Sequence, residues 1–445
     1  MFNNIFEKSL FVFDVLQNNG FECYAVGGCV RDMLLGIIPN DIDFTTNANP
    51  DEILQCFKDY KTFELGKKFG TISVVKDDMI YEITTYRIDG SYEDGRHPDS
   101  VTFSRNLQDD LSRRDFTINA MAMDKNGNVV DLFGGKQDLE NKLIRAVGKP
   151  QKRFSEDALR IFRALRFSAK LGFSIEPETA ASCHELSGLL SKVHPQRMQD
   201  ELSRLLMTKN PENVLYEYRD VIGVIIPEFK PAFDFRQNTP HHRYDVFTHI
   251  IKSLRFAPED LLIRVSLFFH DIAKPLCHTQ DISGLSHFKG HPIKSAEISL
   301  EILRRFGYPK EFVNRVFNLI KFHDRRFEKP KVHIKKILAE TDAEDFKRLM
   351  IIQRCDALAQ SEYKREEKLM LISSIEALFR EIVSEAPCLK VTDLKLNGED
   401  IMALGAKGKE IGDTLDYLLA EVISENIPND KDALLKCAKA YIDTH

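Results

Sequence analysis

Apolar and polar positions alternate in short runs through the first third of the chain, then settle into a helical period. Residues 24–26 (Tyr-Ala-Val) and 41–44 (Asp-Ile-Asp-Phe) read as short strands, separated by a helix over 31–35 that Gly36 and Pro39 end. Pro50-Asp51-Glu52 opens a second helix, with proline at an early position and acids in the first turn. Residues 71–75 and 79–86 alternate about a turn and predict a hairpin. Residues 89–100 are polar and carry Gly and Pro, which predicts a mobile loop. A last strand is expected over 129–132, closed by Gly134-Gly135, and from about Asp157 the pattern is helical to the C-terminus. These elements predict an α+β chain, a small sheet-bearing head followed by helices, with boundaries near 227–240 and 327–332.

At 445 residues the chain is too long for one core, and three or four domains are expected. Residues 1–16 mix Asn, Glu, Lys and Asp among apolar positions, so they predict neither a signal peptide nor an anchor, and no apolar run is long enough to span a bilayer. The eight cysteines contain no CxxC pair, which predicts the reduced thiols of a cytoplasmic protein. A net charge of −6 argues against indiscriminate coating of nucleic acid and leaves room for a local basic groove.

Asp41-Ile42-Asp43 begins ten residues beyond Arg31 of Gly27-Gly28-Cys29-Val30-Arg31-Asp32. Side chains two apart on a strand share a face, so Asp41 and Asp43 would present two carboxylates to one point. Hard oxygen donors in that pose suit Mg²⁺, which takes one or two carboxylates plus substrate phosphates. Gly27 and Gly28 allow close backbone approach to a phosphate that Arg31 could neutralise. A phosphate cradle followed by a metal-binding strand is the pattern of a nucleotidyl-transfer site. Arg113-Arg114-Asp115 could hold a triphosphate and a sugar hydroxyl, or be an exposed charge cluster.

Glu156-Asp157-Ala158-Leu159-Arg160 places an acceptor and a donor three apart, on one face of a helix, with Arg163 and Arg166 continuing that face. Cytosine and adenine both show an amino donor beside a ring-nitrogen acceptor, and uracil and guanine show the reverse. Asp157 and Arg160 could thus accept C and A and reject U and G, or form an ordinary surface ion pair. In the helical half, His249, His270-Asp271, His291, His323 and Asp356 supply imidazole and carboxylate, the donor set of a divalent transition metal. An adjacent His-Asp pair on an apolar helix needs a partner for its buried charge.

Taken together and in order, these motifs resemble the class II tRNA nucleotidyltransferases, the bacterial CCA-adding enzyme and poly(A) polymerase family, over essentially the whole chain. The resemblance implies a polymerase-β-like nucleotidyltransferase head with a small mixed sheet (1–150), then an all-α neck with a base-template helix (151–235), body (236–360) and tail (361–445). It puts catalytic Mg²⁺ on Asp41 and Asp43, phosphates near Gly27, Gly28 and Arg31, the sugar near Arg114 and Asp115, and the base at Asp157, Arg160, Arg163 and Arg166. Glu82 is the expected third carboxylate of this superfamily. Asp131-Leu132-Phe133-Gly134-Gly135 resembles the family's hinge motif.

The histidines and aspartates of the body are similar to an HD phosphohydrolase domain, and 405–412 (GAKGKEIG) to a Gram-positive tail. The implied reaction is template-independent addition of C, C and A to the 3′ end of tRNA from CTP and ATP, with tRNA rather than DNA as partner and no membrane. The basic run Arg325, Arg326, Lys329, Lys331, Lys335, Lys336 is an expected tRNA contact. The rivals are a poly(A) polymerase or A-adding enzyme, and an HD phosphohydrolase with a relic head. The Phe69-Gly70-Thr71 ending resembles CCA enzymes, and the loop at 94–98 (DGRHP) resembles one associated with adding the final A.

Overall fold

The computed structural model describes residues 4–90, 101–328 and 330–444. Of the loop expected over 89–100, residues 91–100, which contain DGRHP, lie outside the described residues, as does Lys329. The chain divides into two units, Met1–Pro227 and Glu228–His445.

The first unit carries a seven-stranded mixed sheet. Its strands are β1 (Cys23–Val26), β2 (Asp43–Thr46), β3 (Lys61–Phe63), β4 (Thr71–Lys76) and β5 (Met79–Thr85), and, after the separate hairpin β6 (Arg87–Asp89) and β7 (Val101–Phe103), β8 (Met121–Met123) and β9 (Val129–Asp131). The order is β3-β4-β5-β2-β1-β8-β9, with β2 and β5 parallel and the other pairs antiparallel. The predicted hairpin is β4–β5, turned by Asp77 and Asp78 at φ 50° and 59°, the left-handed pair that matches strand twist. Phe13, Phe44 and Ile83 are fully buried beneath the sheet, and Asn49 caps the Pro50–Cys56 helix in a reciprocal bond with Glu52.

Three boundaries depart from the sequence reading. The helix expected over 31–35 runs from Gly28 to Leu34, because Gly27 at φ 80° makes the turn and lets winding begin at once. The strand expected over 41–44 begins only at Asp43, where pairing with Val26 starts, so Asp41 lies just before the strand rather than on it. The helix expected from about Asp157 starts at Leu159 and leaves Asp157 outside it. Pro150–Glu156 ends at Asp157, which is extended (φ −142°, ψ 102°), and a new helix spans Leu159–Leu171. The rest of this unit is helical apart from Ser174–Ile175, which pairs with Leu143–Ile144.

The second unit is helical apart from a small pairing of Thr279–Gln280 with Ser286–His287. Its core helices include Val246–Ser253, Leu261–Phe269, His291–Arg305, Lys310–Phe322 and Ala343–Ala359, followed by a smaller cluster around Ile401, Leu418 and Leu434. No described helix is long and apolar enough to cross a membrane.

Candidate active site and a second ligand cluster

Gly27 fixes the first part of the site. A Cβ there would meet Arg114 Nη1 at 3.0 Å, so the arginine leans over the glycine turn at the start of the Gly28–Leu34 helix. Arg31 rises from that helix, 3% exposed, pairs with Asp32 at 2.7 Å and donates to Asn119 Oδ1 at 2.7 Å. Asn119 donates to Asp115, and Asp115 accepts two bonds from Arg163 at 2.8 and 2.6 Å. Burial raises the Asp115 carboxyl, but Arg163 and Asn119 outweigh it and pull it down to about 2. The reading of Arg113-Arg114-Asp115 as an exposed charge cluster fails. Asp115 is buried, and Arg113 and Arg114 both clasp the fully buried Asp110, at 2.6 and 3.0 Å.

Asp43 opens β2, and the parallel register Phe44↔Ile83 sets it level with Glu82 on β5. Its carboxyl is pushed up to about 6, first by lost hydration, then by Asp41 and by Glu82, with Arg114 pulling the other way. Asp41 and Glu82 both repel Asp43, and three acids gathered about the start of β2, inside the sheet, form a hard-oxygen donor set that fits Mg²⁺. A carboxyl whose folded pKa is raised penalises the fold, from about pH 4 upward and fully above about pH 6. Asp43→Asn is therefore expected to raise Tm at pH 7.5 in chelator and to leave it unchanged at pH 4. An equal shift at both pH values would contradict the repulsion.

Asp157 and Arg160 do not lie on one helix face as predicted, and no ion pair joins them among the described contacts. Asp157 accepts from the Leu159 N–H at 3.1 Å and pairs with Arg197 at 2.7 Å. Arg160 pairs with Glu156 at 2.8 Å and donates to the Arg113 carbonyl at 2.9 Å. Arg163 and Arg166 share Glu201, at 3.7 and 2.5 Å, and both lie over the Phe167 ring. Sequence reasoning missed Asp110, Asn119, Glu156, Arg197 and Glu201. Asp110, three and four residues before two arginines, and Glu156, three after Arg153 and four before Arg160, carried a local signal.

In the second unit the six predicted ligands converge. His249 sits on the Val246–Ser253 helix, His270 follows Leu261–Phe269, His291 opens its helix after Gly290, His323 follows Lys310–Phe322, and Asp356 lies on Ala343–Ala359. His249, His270, Asp271 and Asp356 offer donor atoms all within 4.8 Å of one another, as do Asp271, His291 and His323. Burial opposes charging of His270, but Asp271 and Asp356 push it up to about 10. Both Asp271 oxygens are buried without a hydrogen bond, although the Lys274 ammonium stands 2.7 Å from Oδ2. Buried acceptors of mixed nitrogen and oxygen chemistry fit a divalent transition metal. Of the basic run, Lys331 pairs with Glu381 and Lys335 with Glu425.

The fold and this site define a polymerase-type nucleotidyltransferase. Residues 23–145 match the Poly A polymerase head domain, 172–232 the RNA and SrmB-binding site of polymerase A, and 293–438 the tRNA nucleotidyltransferase domain 2. The CCA-adding enzyme of Ligilactobacillus salivarius is 32% identical over 98% of this chain and 97% of its own. That of Lactobacillus helveticus is 31% identical over 97% and 96%. The chain belongs to the class II tRNA nucleotidyltransferases, the family of the CCA-adding enzymes. In fold it matches the Bacillus stearothermophilus CCA-adding enzyme in complex with CTP (TM-score 0.71, 24% identity, 100% of this chain and 99% of that one). It also matches the Thermotoga maritima CCA-adding enzyme complexed with tRNA (TM-score 0.60, 22% identity, 99% and 96%).

Proposed function

We propose that this protein adds C, C and A to the 3′ end of tRNA from CTP and ATP. The carrying observation is the carboxylate set Asp41, Asp43 and Glu82 beside the Gly27 turn and Arg114, on a chain whose full-length relatives are CCA-adding enzymes. Asp41 and Asp43 hold Mg²⁺, with Glu82 as the third acid. The chemistry such a cation supplies when bound is activation of an attacking hydroxyl and neutralisation of a leaving pyrophosphate. Arg114 and the Gly27–Gly28 turn receive the triphosphate, and Arg31 acts from beneath, held by Asn119. Asp115 orients Arg163 at the sugar side, and Asp157 and Arg160 read the base.

Phosphoryl transfer asks the protein mainly to position groups and neutralise charge, and this arrangement does both. The reaction belongs to the cytoplasm, in keeping with eight free cysteines. The test is purified protein with tRNA ending before CCA, Mg²⁺ and each labelled NTP separately. CMP twice and AMP once is the expected product. A homopolymeric A tail would favour the poly(A) polymerase reading, and a single A without C would favour an A-adding enzyme.

The buried cluster favours a second activity, metal-dependent phosphohydrolysis in the body. The two ligand sets lie in different units and differ in donor chemistry. His270→Ala is expected to remove bound transition metal and any phosphatase or phosphodiesterase activity while sparing CMP and AMP addition. Equal loss of both activities in a folded protein would contradict this.

A further inference from the structure

We infer that Phe63 is the platform on which the last base of the acceptor RNA stacks while that nucleotide's 3′ hydroxyl attacks. The inference rests on the proposed transfer reaction and adds to it a residue that holds the acceptor end. It begins with strand register. Asp43 is level with Glu82 across the parallel pair of β2 and β5, Glu82 is opposite Ser73 on β4, and Ser73 is opposite Phe63 on β3. Residues level across neighbouring strands share a face, so Asp43, Glu82, Ser73 and Phe63 form one cross-strand row. Phe44, Ile83 and Ile72 form a row on the other face and are fully buried. The two acids and the Phe63 ring therefore share the open face of the sheet, and Phe63 is 41% exposed.

The row is closed on the other side of Asp43. There it meets Val26 on β1, which is buried against Leu111. The Gly27 turn follows Val26, and Arg114 leans over it as the proposed triphosphate cradle. In an in-line displacement the attacking oxygen arrives opposite the leaving pyrophosphate. With the pyrophosphate on the β1 side, the attacking nucleotide enters over β5, β4 and β3. Strands lie about 4.8 Å apart, so Phe63 stands about 10 Å from the strand that carries Glu82. A sugar and its base span that distance from a hydroxyl held at the acids.

The chemistry of the acceptor calls for a platform of this kind. As C, C and A are added, the attacking nucleotide is in turn the RNA's own last one, then C, then C again. A pocket that reads hydrogen-bonding edges would select among these bases. An aromatic ring stacks them all, because every base has a π-face. Ser73, between the ring and the acids, is small and leaves room for the sugar. Lys61 lies on the same face of β3, its ammonium 5.2 Å from the Phe63 ring centroid, and supplies the positive charge that an RNA phosphate attracts.

The experiment measures CMP addition by the full chain at subsaturating acceptor. One acceptor is tRNA ending in the first C, and the other is the same tRNA with an abasic sugar at that last position. Phe63→Leu keeps apolar bulk on the edge strand and removes the ring, and Phe63→Trp keeps a ring. The parent is expected to lose about tenfold or more in kcat/KM on the abasic acceptor. Phe63→Leu should lose about as much on the normal acceptor, lose nothing further on the abasic one, and keep the parent's KM for CTP. Phe63→Trp should show the parent's pattern. A Phe63→Leu protein that prefers the normal acceptor as strongly as the parent, or that loses equally on both, would overturn the inference. So would a parent indifferent to the missing base. A parent that adds CMP to neither acceptor would bring down the transfer reading itself, and this inference with it.

Discussion

Asp41→Ala or Asp43→Ala is expected to reduce CMP and AMP addition at least about a thousandfold while tRNA binding stays within about twofold. The argument is one of charge. Stabilisation of the transferring phosphoryl group by bound metal is worth several kcal/mol, and each 1.36 kcal/mol is tenfold in rate, so about 4 kcal/mol gives three decades. Neither carboxylate is suited to an RNA phosphate, which it would repel. Single-turnover addition with tRNA ending before CCA, beside a binding titration of the same tRNA, separates the effects. Near-wild-type addition by either variant would remove the catalytic assignment. A parallel loss of binding would move these acids out of the metal site and into the RNA contact. Glu82→Ala, one strand over from Asp43, is expected to follow the same pattern with a smaller loss.

The second large effect concerns the base. Asp157 should accept from the exocyclic amino group of CTP or ATP, and Arg160 should donate to the neighbouring ring nitrogen. Asp157→Ala and Arg160→Ala are then expected to relax or redirect selection toward UTP or GTP by about one or two tenfold steps, at roughly 1–3 kcal/mol per bidentate contact. A surface ion pair between them would predict only a few tenths of a kcal/mol of stability and no change in selection. The geometry weakens that rival, since Asp157 is paired to Arg197 and Arg160 to Glu156 instead. kcat/KM for all four NTPs in both variants decides. An unchanged preference for CTP and ATP in both would place the template elsewhere.

What could be read from the chain was set by local pattern. The β4–β5 hairpin followed from alternation around a turn, and the candidate metal ligands of both units were named from residue types at characteristic positions. Contacts that depend on register or on distant segments were not legible in detail. Glu82 was nameable only by analogy, and its place beside Asp43 comes from parallel pairing of β2 with β5 across an intervening helix and the strands β3 and β4. The break at Asp157 was hidden because Asp-Ala-Leu-Arg continues a helical pattern. Aspartate's liking for a helix start, where its carboxylate takes up a free N–H, was the one local hint. Arg197 lies 40 residues on from Asp157, and Arg163 is 48 from Asp115, so neither pairing had a sequence signature.

The chain of bonds from Arg31 through Asn119 and Asp115 to Arg163 and Glu201 has a kinetic meaning. It fastens the Gly28–Leu34 helix, the proposed floor of the triphosphate cradle, to the Leu159–Leu171 helix that carries Arg160, so the two cannot shift separately without breaking charged bonds. A mismatched base that displaces this helix would drag the phosphates out of line with the attacking hydroxyl. Discrimination would then be written in turnover more than in affinity: a wrong nucleotide could occupy the site almost as readily as the right one and simply fail to react.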